Sequence, residues 1–299
     1  MREEELLRRI FERSRGLPPS VVLGPGDDAA AVRTPAGDTL LLAADQVVEG
    51  RHFTPGTEPD LIARKLVARN LSDLAAMGGR PLWSLATGAI PDGFAHADEL
   101  NARLFHWAAL LGCPLVGGDL ARTSGPMVLS MTVIGAPHPE RGPVTRAGAR
   151  PGDLVFVSGS LGGSFASGHH ARFEPRLREA AFLCESLGAR LTSMIDVSDG
   201  LGLDAARVAR ASGVRIEIDA RRVPLSPGVT DWRAAAGDGE DHELLFTLAM
   251  PGPGVPEPAC CPETGVRFSR IGLAAAGSGC VILDPDGNAH DAAAFGWQH

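Results

Sequence analysis

The sequence predicts a two-domain protein of mixed α/β class, and three observations carry that prediction. Its 299 residues, 44% of them hydrophobic, suffice for two cores of roughly 150 residues each. Short β-rich runs alternate with helical stretches along the chain. Between two such blocks lies Pro137 to Gly152, rich in proline, glycine and arginine, which sets a boundary between residues 1–137 and 138–299.

In chain order, Leu6, Leu7, Ile10 and Phe11 stand at helical spacing among charges, so Glu3 to Arg15 is expected to be an amphipathic surface helix. Val21 to Leu23, Thr39 to Ala43, Leu115 to Val116, Met127 to Ile134, Leu154 to Val157, Arg215 to Ile218 and Leu244 to Leu248 have the composition of strands. A long helix begins at Asp60, its N-cap, and runs to about Met77. Its apolar stripe is Ala63, Leu66, Val67, Asn70, Leu71, Leu74 and Met77, and Gly78-Gly79-Arg80-Pro81 stops it. A second helix runs from about Gly200 to Ser212 and ends at Gly213, and proline-rich Pro251 to Pro262 is expected to be a surface loop.

Composition excludes several function classes. The formal net charge is -8 and the basic residues are scattered, so no electrostatic footprint for nucleic acid is present. The N-terminus lacks an apolar run typical of a leader, and the longest aliphatic run, Leu40 to Ala44, is too short to span a bilayer, so a cytoplasmic protein is expected. Five cysteines without C-x-x-C spacing argue against both a disulfide framework and a structural zinc site. No Walker-type loop is present, and Lys65, the only lysine, sits inside the long helix. The one glycine-rich loop after a strand, Ser158 to Ser164, does not spell the dinucleotide fingerprint and is a weak phosphate cradle.

The chemistry-bearing feature is a set of aspartates beside glycines or at the ends of apolar strands: Asp27-Asp28, Asp45, Asp73, Asp119, Asp196, Asp199 and Asp241. Taken singly, most such aspartates are turn or cap residues. Asp73 differs, because it borders an apolar stripe inside a helix, where a lone carboxylate needs a partner. If these loops converge, two charges 4 to 5 Å apart repel by roughly 3 to 4 kcal/mol at an effective dielectric near 20, so cations must sit among them. Oxygen-only ligands select hard ions, and Mg²⁺ completes its shell with water and substrate phosphates. An aspartate-rich cleft therefore predicts a phosphorylated substrate bound through several Mg²⁺ ions.

In this order the segments GPGDDAAAV (24–32), ADQVVEGRHF (44–53), NLSDLAAMGGRP (70–81), GGDLART (117–123), VTRAGARPGD (144–153), MIDVSDGL (194–201) and GEDHELLFT (239–247) resemble the thiamine-monophosphate kinase family. That family lies within the ATP-binding superfamily that also contains aminoimidazole ribonucleotide synthetase and selenophosphate synthetase. The resemblance implies the two-domain α/β fold of that superfamily, a homodimer joined through its N-terminal mixed sheets, and a site between the two domains. It implies magnesium at Asp28, Asp45, Asp73, Asp119, Asp196 and Asp199, ATP at Gly118, Asp119, Arg146 and Ser198, and thiamine monophosphate at His52, Glu240 and Trp297. Asp119, Asp199 and Arg146 are the implied catalytic set. From the residues alone, His52 could equally be a core histidine, Arg146 a solvated linker charge and Trp297 a core residue.

The chain departs from the family pattern at three places. Ala43 and Ala44 stand where serine or threonine commonly precedes the aspartate of the second motif, Gly163 stands where aspartate is common, and His242 replaces a usual tyrosine. The last two are expected to lie away from the chemistry. An ionised phosphate acceptor needs no general base, which agrees with the lack of a convincing one. Another ATP-dependent enzyme of the superfamily, a metal-dependent phosphohydrolase and a nucleotide-binding sensor are the alternatives.

Overall fold

The computed structural model of the chain describes residues 9–14, 16–250 and 257–297. Most of the expected N-terminal helix lies outside the described residues, and residues 9–13 within them are helical. Of the expected loop Pro251 to Pro262, residues 251–256 also lie outside.

Helix α1 (Pro59–Ala76) forms where the long stripe predicts it, and all seven stripe residues are buried. Pro59 suits the first turn, where a missing N–H costs nothing. Asp60 is not the cap. Glu58 takes that position without a side-chain bond, and Asp60 accepts from Trp107 Nε1 at 3.0 Å on α2 (Ala97–Leu110). The helix stops at Gly78, whose φ of +65° is left-handed and whose added Cβ would lie 2.5 Å from Cys184 Sγ.

Strands β1 (Val21–Leu23), β2 (Ala30–Arg33), β3 (Thr39–Val48), β4 (Gly79–Pro91), β5 (Leu115–Thr123) and β6 (Val128–Pro137) form one sheet, ordered β1-β2-β3-β6-β4-β5. Only β4 and β5 are parallel, joined by the crossover that contains α2. Leu41, Val47, Leu129, Met131 and Val133 on one face pack against Ile62, Leu66, Leu71, Leu100 and Leu104 of α1 and α2. Among the described residues nothing covers the other face: Trp83 and Leu85 on β4 are exposed, as is Val116 on the edge strand β5.

The second sheet contains β7 (Leu154–Ser158), β8 (Leu191–Val197), β9 (Arg215–Asp219), β10 (Glu243–Leu248), β11 (Phe268–Ala275), β12 (Gly279–Leu283) and β13 (Ala289–Asp291), ordered β13-β12-β9-β11-β7-β10-β8. It is covered on both faces, so β7 and β10 are buried at every residue. Val155, Val157, Ile195 and Leu245 share a core with Leu201, Ala205 and Val208, while Leu154, Phe156, Met194 and Phe246 share one with Ala180, Leu183 and Leu187. Those helical partners belong to α4 (Leu201–Ser212) and α3 (Leu177–Leu187). Each such aliphatic or aromatic side chain contributes about 1.5–3 kcal/mol on burial. The predicted second helix is α4, ended by left-handed Gly213. A short helix, α5 (Trp232–Gly237), precedes the loop that leads into β10.

Helix α1 also joins the two halves, since its Ala75 belongs to the α3 core and its Ser72 bonds Asp196 of β8. The segment between β6 and β7 is not a free tether: Val144 N–H donates to Met77 O, and Met194 N–H to Thr145 O. Among the described residues no helix is long and apolar enough to cross a membrane, and all five cysteines are free thiols.

Candidate active site

Three carboxylates from distant parts of the chain meet where α1 crosses the end of β8. Asp28 follows β1, Asp73 lies in α1 and Asp196 ends β8, and ligand oxygens of all three lie within 4.8 Å of one another. Asp73 takes this place because it lies one helical turn beyond Arg69, on the polar strip that α1 turns away from its own core.

The three acids experience opposing fields. Burial drives Asp28 up to about 7 even though the Arg146 guanidinium beside it pulls the other way. Burial, then the charges of Asp196, Asp45 and Asp28, raise Asp73 well above the carboxylate range. Burial acts likewise on Asp196, but hydrogen bonds from His242 and Ser72 outweigh it and its pKa is lowered. The cluster thus holds more negative charge than its protein neighbours neutralise. Its donors are oxygens alone, so a hard divalent cation fits it.

Around the trio a second set of charges is paired. Arg146, neither solvated nor free, grips Asp28 through Nη2 at 2.6 Å and Nε at 3.3 Å, and its backbone N–H donates to Asp27 at 3.1 Å. His242 Nδ1 lies 3.2 Å from Asp196 Oδ2, and its ring stacks on Phe173 at 4.1 Å. Burial disfavours the imidazolium, yet Asp196 and Glu240 together raise its pKa. His242 therefore touches the acid cluster directly, contrary to the expectation that it stands apart. It could have been suspected from its position two residues after Glu240 in the GEDH motif.

The loop before β10 holds this arrangement under backbone strain. Glu240 and His242 are non-glycine residues at φ of 57° and 49°, a conformation costing about 1–3 kcal/mol each, and their N–H groups bond Ser198 O and Val197 O at 2.7 and 2.8 Å. Glu240 Oε2 meets Lys65 Nζ at 2.6 Å, and Oε1 lies 3.6 Å from Arg69. Burial alone would raise Glu240, but His242, Lys65 and Arg69 hold it far below the carboxylate range. Lys65 also donates to His52 O at 2.7 Å and faces His170 Nδ1 at 2.9 Å. Burial and that ammonium push His170 down to about 4, leaving a neutral acceptor.

His52 is half-buried, with Nδ1 accepting from Val48 N–H at 3.0 Å, and burial followed by Arg69 lowers its pKa. Ser198 and Asp199 form a turn whose N–H groups both bond Asp204 Oδ2, and Asp199 is itself paired with Arg207 at 2.6 Å. Trp297 does not close a core: it is 52% exposed, donates through Nε1 to Asp238 O at 2.6 Å, and lines a cavity of about 520 Å³ with Phe165. The phosphate-cradle reading of the glycine-rich loop finds no free donors at Gly162 and Gly163, whose N–H groups bond Asp241 and Asp238.

Two predicted residues stand away from the trio. Gly118 and Asp119 lie on β5, and Gly118 is required there because a Cβ would come within 1.7 Å of Ala86 O. Asp45, Met131, Ala86 and Gly118 form one row across the sheet, and Asp119 pairs with Thr87 beside it. Asp119 thus points to the uncovered face, opposite Asp45 and three strands away, roughly 14 Å of sheet. Sequence reasoning missed Lys65, Arg69 and Ser72. Their spacing with Asp73 places all four along one face of α1, a polar strip on an otherwise buried helix that could have revealed them.

The fold that carries this acid cluster is of the AIR synthase-related class: residues 26–136 match the family model described as AIR synthase related protein, N-terminal domain. A thiamine-monophosphate kinase of Caulobacter vibrioides is 33% identical over 322 residues, covering 99% of this chain and 90% of that protein. One of Rhodopirellula baltica is 36% identical over 293 residues, covering 90% and 88%. The solved structure of AaThiL complexed with AMPPCP and TMP superposes with a TM-score of 0.80 at 28% identity, covering 100% of this chain and 99% of that one. The chain belongs to the thiamine-monophosphate kinase family.

Proposed function

We infer that this chain is a kinase that transfers the γ-phosphoryl group of ATP to thiamine monophosphate, giving thiamine diphosphate and ADP. The observation that carries the reading is the Asp28–Asp73–Asp196 cluster, in a chain similar along almost its whole length to kinases of that name. The similar structure of AaThiL holds an ATP analogue together with TMP, which supports the same pair of ligands here.

Asp28, Asp73 and Asp196 would hold Mg²⁺, with Asp119 and Asp199 as further ligands implied by the motifs; the motifs also imply Asp45, whose two carboxylate oxygens accept from Gln46 and Arg69. Bound there, Mg²⁺ supplies the positive charge that lets two phosphate groups approach for in-line transfer. The chain's own residues do the positioning. Arg146, held by Asp28, and Ser198, fixed by Asp204, face the nucleotide. His52 and Glu240 are locked by Lys65 on the acceptor side. Phe165 and Trp297 offer aromatic faces that suit the cationic ring of thiamine. The acceptor oxygen attacks Pγ as the bond from Pγ to the bridging oxygen breaks, and no proton has to be removed. Transfer is direct, without a phosphoenzyme.

We assign residues 1–137 to metal, ATP and dimer contacts and residues 138–299 to completing the nucleotide and substrate site. The uncovered sheet face fits a second copy of the chain, and Asp119 on that face then belongs to a site completed across the interface. A cytoplasmic homodimer is the expected form.

The test is incubation of the purified protein with ATP, Mg²⁺ and thiamine monophosphate, followed by chromatography. Thiamine diphosphate should form one-for-one with ADP, and Asp73→Asn should lower the rate at least about a hundredfold. ADP and inorganic phosphate without thiamine diphosphate would favour a phosphohydrolase instead.

A further inference from the structure

Asp45 is the one implied ligand on α1's side of the six-stranded sheet that does not join the trio. Both of its carboxylate oxygens are already engaged: Oδ1 accepts from Gln46 N–H at 2.7 Å and Oδ2 from Arg69 Nε. Its own N–H donates to Asn70 Oδ1 at 2.9 Å, so backbone and side chain are both fastened to α1 or to the strand itself. Arg69 is largely buried, at 13% side-chain exposure, and lies between Asp45 and Glu240. The residues before Asp45 are Ala43 and Ala44, which bring no side-chain oxygen to complete an ion's shell.

We propose that Arg69 is a built-in cation occupying the place of a magnesium ion at Asp45, confining the divalent ions of this chain to the Asp28–Asp73–Asp196 cluster and beyond. A guanidinium is permanently charged, weakly hydrated and shaped to meet carboxylates, so it neutralises Asp45 without recruiting anything from solvent. For an ion to take the position at Asp45 Oδ2 that Arg69 holds, Arg69 would have to leave and stay buried beside Glu240 alone, whose other oxygen is held by Lys65. Arg69 also ties Asp45 on the phosphate side to Glu240 on the acceptor side, making it a positioning residue for both. The inference rests on the kinase reading only in taking Asp45 as facing bound phosphates.

The test counts Mn²⁺ bound per chain, from loss of the free-ion paramagnetic resonance signal, in the presence of a non-hydrolysable ATP analogue. The proposal expects Asp45→Asn to leave the count of the native chain unchanged. It expects Arg69→Met to add one ion per chain, and the double variant Arg69→Met with Asp45→Asn to lose that ion again. A native chain that loses one ion on Asp45→Asn, or an Arg69→Met variant whose count does not rise, overturns it. Should Arg69→Met fail to fold, Asp45→Asn alone decides. Failure of the kinase reading is separately visible, as an Asp73→Asn count equal to the native one.

Discussion

At the scale of single residues, the site is a contest between burial and compensation. Asp28 and Asp73 keep protons that their unfolded counterparts would lose, because burial and mutual repulsion raise both. Their contribution to the ion-free fold is full below the ordinary value of 3.8, and for Asp28 it is lost as pH climbs through about 7. Asp196 has the opposite sign, its contribution being lost as pH falls. A cation entering the trio displaces the protons of Asp28 and Asp73, so Mg²⁺ affinity should rise with pH across about 5 to 7, by up to roughly tenfold per pH unit for each proton displaced. Thermal melts with and without Mg²⁺ check this: the Mg²⁺-induced gain should be larger near pH 7.5 than near pH 5.5, and equal gains would contradict it. Asp73 was legible in the sequence because a carboxylate inside a buried helix demands a partner, and Asp28 and Asp196 through the motifs that carry them. Lys65, Arg69 and His242 were missed although the α1 spacing and the GEDH motif hinted at them, since the acid that pairs with each lies far away in the chain and comes into view only in the fold.

At the scale of elements, α1 is the part on which both halves converge, and its ending is as constrained as its stripe. Gly78→Ala forces a side chain into a left-handed backbone and against Cys184, and should destabilise the chain by about 1–3 kcal/mol without altering the trio. Denaturant unfolding measures that loss, and a change below about 0.5 kcal/mol would show that the α1–α3 contact yields easily. Every strand expected from β-rich runs is present, while β2, β4, β8, β11, β12 and β13 were not expected, and β4 was disguised by its composition. Gly79, Pro81 and Gly88 make it look like a loop, although it runs between β5 and β6. The sheet tolerates them through a register shift between Pro81 and Trp83 and a close approach at Gly88, where a Cβ would lie 2.8 Å from Leu129. Neither compensation is visible without the neighbouring strand.

At the scale of the whole molecule, the acids sort by position: three meet inside one chain, while Asp119 faces outward on an uncovered sheet. If the site is completed across a dimer, variants Asp119→Asn and Asp73→Asn, each inactive alone, should complement when co-expressed. Half of the randomly assembled dimers are mixed and carry one intact site of two, so activity should return to about a quarter of native. No recovery would place Asp119 in the site of its own chain. The sequence order of the motifs made the family legible over nearly the full length, but not this division, because register and sheet face emerge only from strand pairing.

The central claim is that Asp28, Asp73 and Asp196 together hold the cations on which two phosphorylated ligands meet. Its most direct test is anomalous X-ray diffraction from crystals of the protein grown with Mn²⁺, a non-hydrolysable ATP analogue and thiamine monophosphate. The account predicts manganese peaks among those three carboxylates, in contact with phosphate oxygens of the nucleotide. Ordered nucleotide with the three carboxylates free of metal, or manganese bound only elsewhere, would contradict it.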